Sequence, residues 1–149
     1  MEPGNVAAWG QDWAWGVPLI IVNVIFHAFA LGLINKDVLS RSKPSRVLFS
    51  HSYVVVGMAA LSATVFHAVE VVSWAVVYSL LGATSDPKAA MLYSLNAMTS
   101  YGHANLYLAP RWQMTGALEA LNGWILFGLT TAFLFSVVQK AWEKSLQSA

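Results

Sequence analysis

Three apolar segments, each long enough to cross a lipid bilayer, constrain the fold of this sequence more than any other feature. The first, Trp15 to Ile34, has no charged residue, and its about 20 residues at ~1.5 Å each match a ~30 Å hydrocarbon layer. The second covers residues 51–82 and the third covers residues 113–140. The sequence therefore predicts an all-helical integral membrane protein with three transmembrane helices.

Composition agrees with this class, since 57% of the 149 residues are hydrophobic and only 10% are charged. The formal charge of +1 gives no reason to expect a nucleic-acid partner, and the absence of cysteine excludes disulfides and thiolate metal sites. We expect membrane lipid as the surroundings and no soluble ligand-binding domain.

A half-length helix is predicted between the second and third segments. Asp86 can accept hydrogen bonds from the free amides at its start, and Pro87 suits the first helical position. From residue 87 to residue 98 the helix is about 18 Å long, roughly half a bilayer crossing. A polar stretch over residues 99–105 follows.

The basic residues indicate how this half-helix lies. Six of the eight Lys and Arg residues fall within 35–50 or after 139. Three full crossings place both basic stretches in the cytoplasm, with the N-terminus outside, whereas a fourth crossing would separate them. We therefore expect residues 87–105 to dip into the membrane and return, as a re-entrant pore segment.

This order of long helix, half-helix, polar strand and long helix, together with Ser94-Leu95, Thr99, Gly102 and the stretch Trp112–Ala120, resembles the pore module of potassium-channel-like proteins. More narrowly, the chain is similar to small bacterial ion channels often labelled the two pore domain potassium channel family, although it has one pore segment. The resemblance covers residues 51 to 140.

The family's selectivity filter reads Thr-Thr-Val-Gly-Tyr-Gly-Asp, of which this chain keeps the first Thr and the first Gly. The aligned residues are Thr99, Ser100, Tyr101, Gly102, His103, Ala104 and Asn105. A second register sets Tyr101-Gly102 on the family's Tyr-Gly, which places Met98 on its Thr and Ser100 on its first Gly.

Three differences alter the outer half of this filter. Ala104 resists the left-handed backbone that glycine tolerates, by about 1 to 2 kcal/mol. His103 replaces a tyrosine that packs behind the filter, and its titration would make flux depend on pH between about 5 and 8. Asn105 removes a carboxylate from the outer mouth. Thr99, Ser100 and Gly102 still offer oxygens for an inner cation site.

The resemblance implies a homotetramer around a central axis, because one pore segment cannot surround an ion. It also implies a passive cation channel without catalysis or cofactor, which conducts K⁺ or Na⁺ with selectivity weakened by the altered filter. The family's hinge and pore-lining positions correspond to Gly123, Phe127, Gly128 and Thr131. The two glycines equally suit close helix packing.

Ionisable residues inside apolar helices are costly and are candidates for function. Glu70 and Glu119 should lie near filter depth, where we expect them, with Asn96, to support the pore segment. His67 and Glu70 are three residues apart on one helix face, so a metal or haem site involving His27 or His51 is weighed against a packing histidine.

The predicted organisation has two parts. Residues 1–50 comprise an interfacial segment, the first transmembrane helix and a basic cytoplasmic linker. Residues 51–149 form the pore domain, with an outer helix (51–82), a pore helix (87–98), the filter (99–105) and an inner helix (113–140). We expect a multi-pass protein of the cell membrane; the alternatives are a small haem or metal redox subunit and a non-conducting pore-like protein.

Overall fold

The computed structural model describes residues 4–41, 48–102 and 105–146, and the regular structure within them is entirely helical. The elements are α1 (Gly4–Arg41), α2 (Leu48–Leu80), α3 (Pro87–Met98), a 3₁₀ turn (Pro110–Trp112) and α4 (Gln113–Leu146).

Three of these helices are long and apolar enough to cross a membrane. The spans are Trp9–Lys36, Tyr53–Leu80 and Pro110–Glu143, with mean hydropathies of 2.4, 1.8 and 1.7. The prediction of three transmembrane helices is confirmed at this level, and the chain has the fold of a multi-pass membrane protein.

Helix α1 begins earlier than the apolar pattern indicated. Residues 4–14, predicted as an interfacial segment, belong to the same helix as the first span. Tryptophans at 9 and 13 remain about half exposed, as in an aromatic belt, while Asp12 is buried. Asp12 holds this first part of α1 against α4 through its hydrogen bonds with Thr115.

Helices α1 and α4 run parallel. Asp12 contacts Thr115, and further along Asn35 contacts Lys140, so the pairs follow the same order on both helices. Helix α2 runs antiparallel to α4, because Tyr78 near its end contacts Glu119 near the start of α4. The three long helices therefore alternate in direction.

This arrangement makes residues 81–112 begin and end at the same end of the bundle. Within that segment α3 lies between α2 and α4: the Ser94 hydroxyl is 2.9 Å from the Val71 carbonyl oxygen, and Tyr93 covers Gly116. The last residue of α3, Met98, packs against Gly123. Because Gly123 is ten residues into α4, the end of α3 lies about 15 Å inside the bundle.

Helix α3 spans the residues that the sequence predicts, for a local reason. Asp86 has an extended backbone, and its carboxylate accepts a hydrogen bond from the Ala89 amide at 2.9 Å. That hydrogen bond lowers the pKa of Asp86 below its usual value. The cap is therefore formed at neutral pH and is lost only as pH falls through the lowered pKa.

The connection between α3 and α4 is held in place by a backbone hydrogen bond and by buried apolar side chains. The Ala109 amide donates to the Ala83 carbonyl at 2.8 Å, which ties the two ends of the segment together. Leu108 and Trp112 are buried in a core that also contains aromatic side chains of α2 and α3, namely Trp74, Tyr78 and Tyr93.

Candidate functional site

Within the candidate pore segment, helix α3 ends in a tight cap. The Ser100 amide donates to the Ala97 carbonyl and the Tyr101 amide to the Asn96 carbonyl, both at 3.1 Å. These two hydrogen bonds form a Schellman motif, which uses carbonyl groups that a helix end otherwise leaves free. Asn96, expected to support the filter, contributes this backbone carbonyl.

Ser100 occupies the motif position at which glycine is usual. Its φ of 53° lies in the left-handed region, where an L-residue with a Cβ is strained. Gly102 has a φ of 104° and Asn105 has a φ of 63°. Three of the five predicted filter residues that the structure describes thus have positive φ, and the glycine is one of them.

The polar strand begins later than predicted. Thr99 keeps a helical backbone as the cap residue, and its hydroxyl donates to the Leu95 carbonyl at 2.7 Å. With Ser100 it forms a turn, so the two residues belong to the helix cap rather than to an extended filter strand. The chain leaves this turn at Tyr101, whose side chain is 85% exposed. His103 and Ala104 lie outside the described residues.

A cavity of about 580 Å³ lies beside this turn. Its lining comes from the end of α3, from the middle of α2 and from the middle of α4. The residues that matter for its chemistry are Thr64, His67, Thr99 and Ser100, and Phe127 lies on its apolar side. The cavity thus joins the candidate pore segment to His67.

Glu119 is fully buried behind α3. One of its carboxyl oxygens is 2.5 Å from the Ser94 hydroxyl, and the other is 2.5 Å from the Tyr78 hydroxyl. Glu119 therefore joins the pore helix candidate to α2 from its own position in α4. Its expected role in supporting the filter stays a prediction, now with Ser94 and Tyr78 as its partners.

The protons of this cluster can be counted. The Ser94 hydroxyl has one proton but lies within hydrogen-bond distance of two acceptors, the Val71 carbonyl and Glu119. Both contacts are hydrogen bonds only if the carboxyl group donates to Ser94 and Ser94 donates to Val71. The arrangement therefore suits a neutral carboxylic acid at Glu119.

Glu70 has different partners from those expected. It is fully buried against α1, where one carboxylate oxygen is 2.6 Å from His27 Nδ1. The other oxygen is 3.2 Å from His67 Nδ1 on its own helix. Glu70 thus links α1 to α2, and among the described residues its contacts do not include the candidate pore segment.

Thr130 of α4 closes this cluster from the opposite side. Its hydroxyl is 2.8 Å from His27 Nε2 and 3.0 Å from His67 Nε2. The hydroxyl can donate to only one of these nitrogens, so the other imidazole must donate to it. The cluster brings together one polar group or more from each transmembrane helix.

The predicted hinge glycines differ in their surroundings. A Cβ on Gly123 would collide with the Met98 carbonyl oxygen, whereas a Cβ on Gly128 would meet no atom within 4 Å. Gly123 therefore permits close packing of α4 against α3. The side chain of Phe127 is 62% exposed, and the Thr131 hydroxyl donates to the Phe127 carbonyl within α4. A hinge or gate at these positions stays a prediction.

Sequence reasoning missed several members of these clusters. His27 was considered only as a spare ligand, although a histidine inside an uncharged span merits the attention given to Glu70. Thr130 gave no signal, because a single hydroxyl in an apolar helix is common. Asp12 was assigned to the interface, yet its carboxylate accepts hydrogen bonds from the Thr115 amide and hydroxyl at 3.0 and 2.5 Å.

The comparisons with known proteins give no relative: no family model, curated protein or solved structure matches this chain.

Proposed function

We propose that this protein is a subunit of a passive cation channel in the cell membrane, in which residues 87–105 form a re-entrant pore segment. The observation that carries the proposal is the path of this segment. It leaves α2 and enters α4 at the same end of the bundle, and Met98 at the end of α3 packs deep against Gly123. Irregular backbone at that depth is tolerated only when protein or water satisfies it.

The turn after α3 suits a pore lining. Thr99, Ser100 and Gly102 are exposed on the single chain and offer hydroxyl and carbonyl oxygens, which can replace part of a cation's hydration shell. The cap uses the Asn96 and Ala97 carbonyls, so the oxygens left for an ion come from the turn itself.

Four copies of the chain are needed to surround an ion with such a segment. Large apolar side chains next to the turn are exposed, with Leu95 at 48% and Trp124 at 66%, and these would be covered by a neighbouring copy or by lipid. We therefore propose a homotetramer with α3 and the turn around a central axis.

The basic residues support the proposed orientation. Lys140 Nζ donates to Asn35 at 3.1 Å, so the basic ends of α1 and α4 lie together. In the proposed topology this end faces the cytoplasm, and the N-terminus and the candidate pore segment open on the outside.

A haem-based redox function is not favoured by the geometry. The imidazole rings of His27 and His67 are 4.9 Å apart between centroids and share Glu70 and Thr130 as partners. Iron held between two imidazoles would separate the ring centroids by about 6 Å, with a porphyrin between them.

Ion flux into liposomes tests the proposal. The purified full chain is reconstituted, and the reversal potential is measured under opposed K⁺ and Na⁺ gradients. A cation conductance whose reversal potential lies between zero and the ideal K⁺ value supports a weakly selective channel. Absence of conductance, or an anion conductance, contradicts the proposed function, and an ideal K⁺ potential contradicts the weakened selectivity.

A further inference from the structure

The buried cluster of His27, His67 and Glu70 has a donor set that the proposed pore does not use. Each residue offers one ligand atom, and these atoms lie within 4.8 Å of one another. His27 and Glu70 are fully buried, and His67 is 29% exposed. Three candidate ligands on two helices are therefore already gathered inside the bundle.

One atom of the cluster has no hydrogen-bond partner within the described part of the chain. Among the described residues, Glu70 Oε2 is buried and accepts no hydrogen bond. His67 Nδ1 is 3.2 Å away, but the contact does not have hydrogen-bond geometry. A buried carboxylate oxygen without a donor is costly, and a cation would satisfy it.

We propose that His27, His67 and Glu70 bind a divalent transition-metal cation, with Zn²⁺ as the ion that fits best. Two imidazole nitrogens and one carboxylate oxygen form a donor set used by zinc, whereas Mg²⁺ and Ca²⁺ prefer oxygen ligands. The spacing supports this choice, because the 3.2 Å between His67 Nδ1 and Glu70 Oε2 is close to the about 3.3 Å between two ligands of a tetrahedral zinc ion.

The cavity gives the ion an access route. His67 borders it together with Thr64 and Thr99, so an ion in the cavity reaches His67 before it meets the two buried ligands. Because the ligand atoms lie within 4.8 Å of one another, the widest pair must close by at most about 1.5 Å around a bound ion. His67 is the one ligand of the three that is partly exposed and borders the cavity, so we assign this movement to its ring.

A bound ion would join α1 to α2, because His27 belongs to α1 and the other two ligands belong to α2. Thr130 has a different position: its hydroxyl contacts both Nε2 atoms but is not one of the three ligands. Thr130 is therefore an outer partner that orients the two imidazoles, and the ligands are the imidazoles and the carboxylate.

Titration with Co²⁺ tests the site without any ion flux, so its outcome is separate from that of the proposed function. The full chain in detergent is freed of metal with a chelator, and the visible d–d absorption of bound Co²⁺ is followed. We expect one Co²⁺ per chain, displaced by Zn²⁺ but not by Mg²⁺, and a higher thermal midpoint with Zn²⁺. No Co²⁺ band, or a band that Mg²⁺ displaces equally well, overturns the proposal.

Variants identify the ligands. His67→Gln and Glu70→Gln should each weaken Co²⁺ binding by at least tenfold, while His51→Gln, a histidine elsewhere on α2, should leave it unchanged. Thr130→Val removes the hydroxyl that contacts both Nε2 atoms, so we expect it to weaken Co²⁺ binding without abolishing it. His67→Gln alters the most exposed ligand, so it decides the question if Glu70→Gln does not fold. Full binding by His67→Gln, or weakened binding in His51→Gln, contradicts the assigned ligand set.

Discussion

Ser100 shows how a single backbone conformation ends α3 within the candidate pore segment. It occupies the left-handed position of the cap at a φ of 53°, where the Cβ of an L-residue is strained. The sequence indicated where α3 ends but not this left-handed conformation, because the residue there is serine and not the glycine that is usual at this position.

Replacing Ser100 by glycine should therefore stabilise the protein. We expect Ser100→Gly to raise the free energy of unfolding by about 1 kcal/mol, and Ser100→Val to lower it by at least as much. Thermal unfolding of the detergent-solubilised protein measures both. If the serine hydroxyl also lines the pore, Ser100→Gly alters ion selectivity despite its greater stability. Lower stability in Ser100→Gly than in the parent would contradict the assigned cap.

Gly123 and Gly128 form a matched pair on α4. Gly123→Ala should destabilise the protein by about 1 to 3 kcal/mol, because the new methyl group meets the Met98 backbone carbonyl, which cannot rotate away. Gly128→Ala meets open space and should be neutral or stabilising by up to about 1 kcal/mol. Thermal unfolding in detergent compares the two, and equal midpoints would argue against close packing of α3 on α4.

Glu119 tests whether the cluster behind α3 contains a neutral carboxyl group. Glu119→Gln can accept from Tyr78 and donate to Ser94, so its stability should lie within about 1 kcal/mol of the parent. Glu119→Ala takes the shared carboxyl partner away from the Tyr78 and Ser94 hydroxyls and leaves a cavity. We therefore expect the free energy of unfolding to fall by about 2 to 5 kcal/mol. Thermal midpoints in detergent distinguish the variants. A Glu119→Gln protein as unstable as Glu119→Ala would indicate that a charged carboxylate is needed.

At the scale of helices, local signals predicted α3 well. Asp86 and Pro87 fix its start through capping chemistry, which acts within a few residues and can be read from the sequence. The hydroxyl of Thr99 and the polar residues beyond it marked its end. The three apolar spans were equally clear from the sequence, because length and hydropathy identify a helix that can cross a membrane.

The contacts between helices could not be read in the same way. The pairing of His27 with Glu70 depends on the depth and rotation at which α1 meets α2, and residues 43 positions apart carry no local sign of it. The same applies to Asp12 and Thr115. Polar residues within the spans indicated that partners must exist, but only the packed helices show which ones.

The contact of Asp12 with Thr115 gives a prediction about α1. The carboxylate accepts from an amide at the start of α4, where helix amides lack internal partners. Asp12→Ala should lower stability by about 1.5 to 3 kcal/mol, whereas Asp12→Asn keeps an acceptor and should recover part of the loss. The adjacent, exposed Gln11→Ala is the control. Chemical unfolding in mixed micelles measures the series, and a neutral Asp12→Ala would show that α1 docks independently of this contact.

For the whole molecule, the central claim is that residues 87–105 enter the membrane from the outside and line a cation pathway. The antiparallel course of α2 and α4 supports the return to one side, and the packing of Met98 on Gly123 supports its depth. Because the chain contains no cysteine, single cysteines can be introduced without a background reaction.

The most direct measurement is therefore cation flux through Ser100→Cys channels before and after an impermeant, cationic thiol reagent is added to the outside. The account predicts that modification at residue 100 blocks most of the flux. Ser79→Cys, at an exposed position near the end of α2 that the proposed topology places outside, should react without blocking it. Flux through Ser100→Cys that persists after complete modification, or equal block in both variants, would contradict a pore lined by this segment.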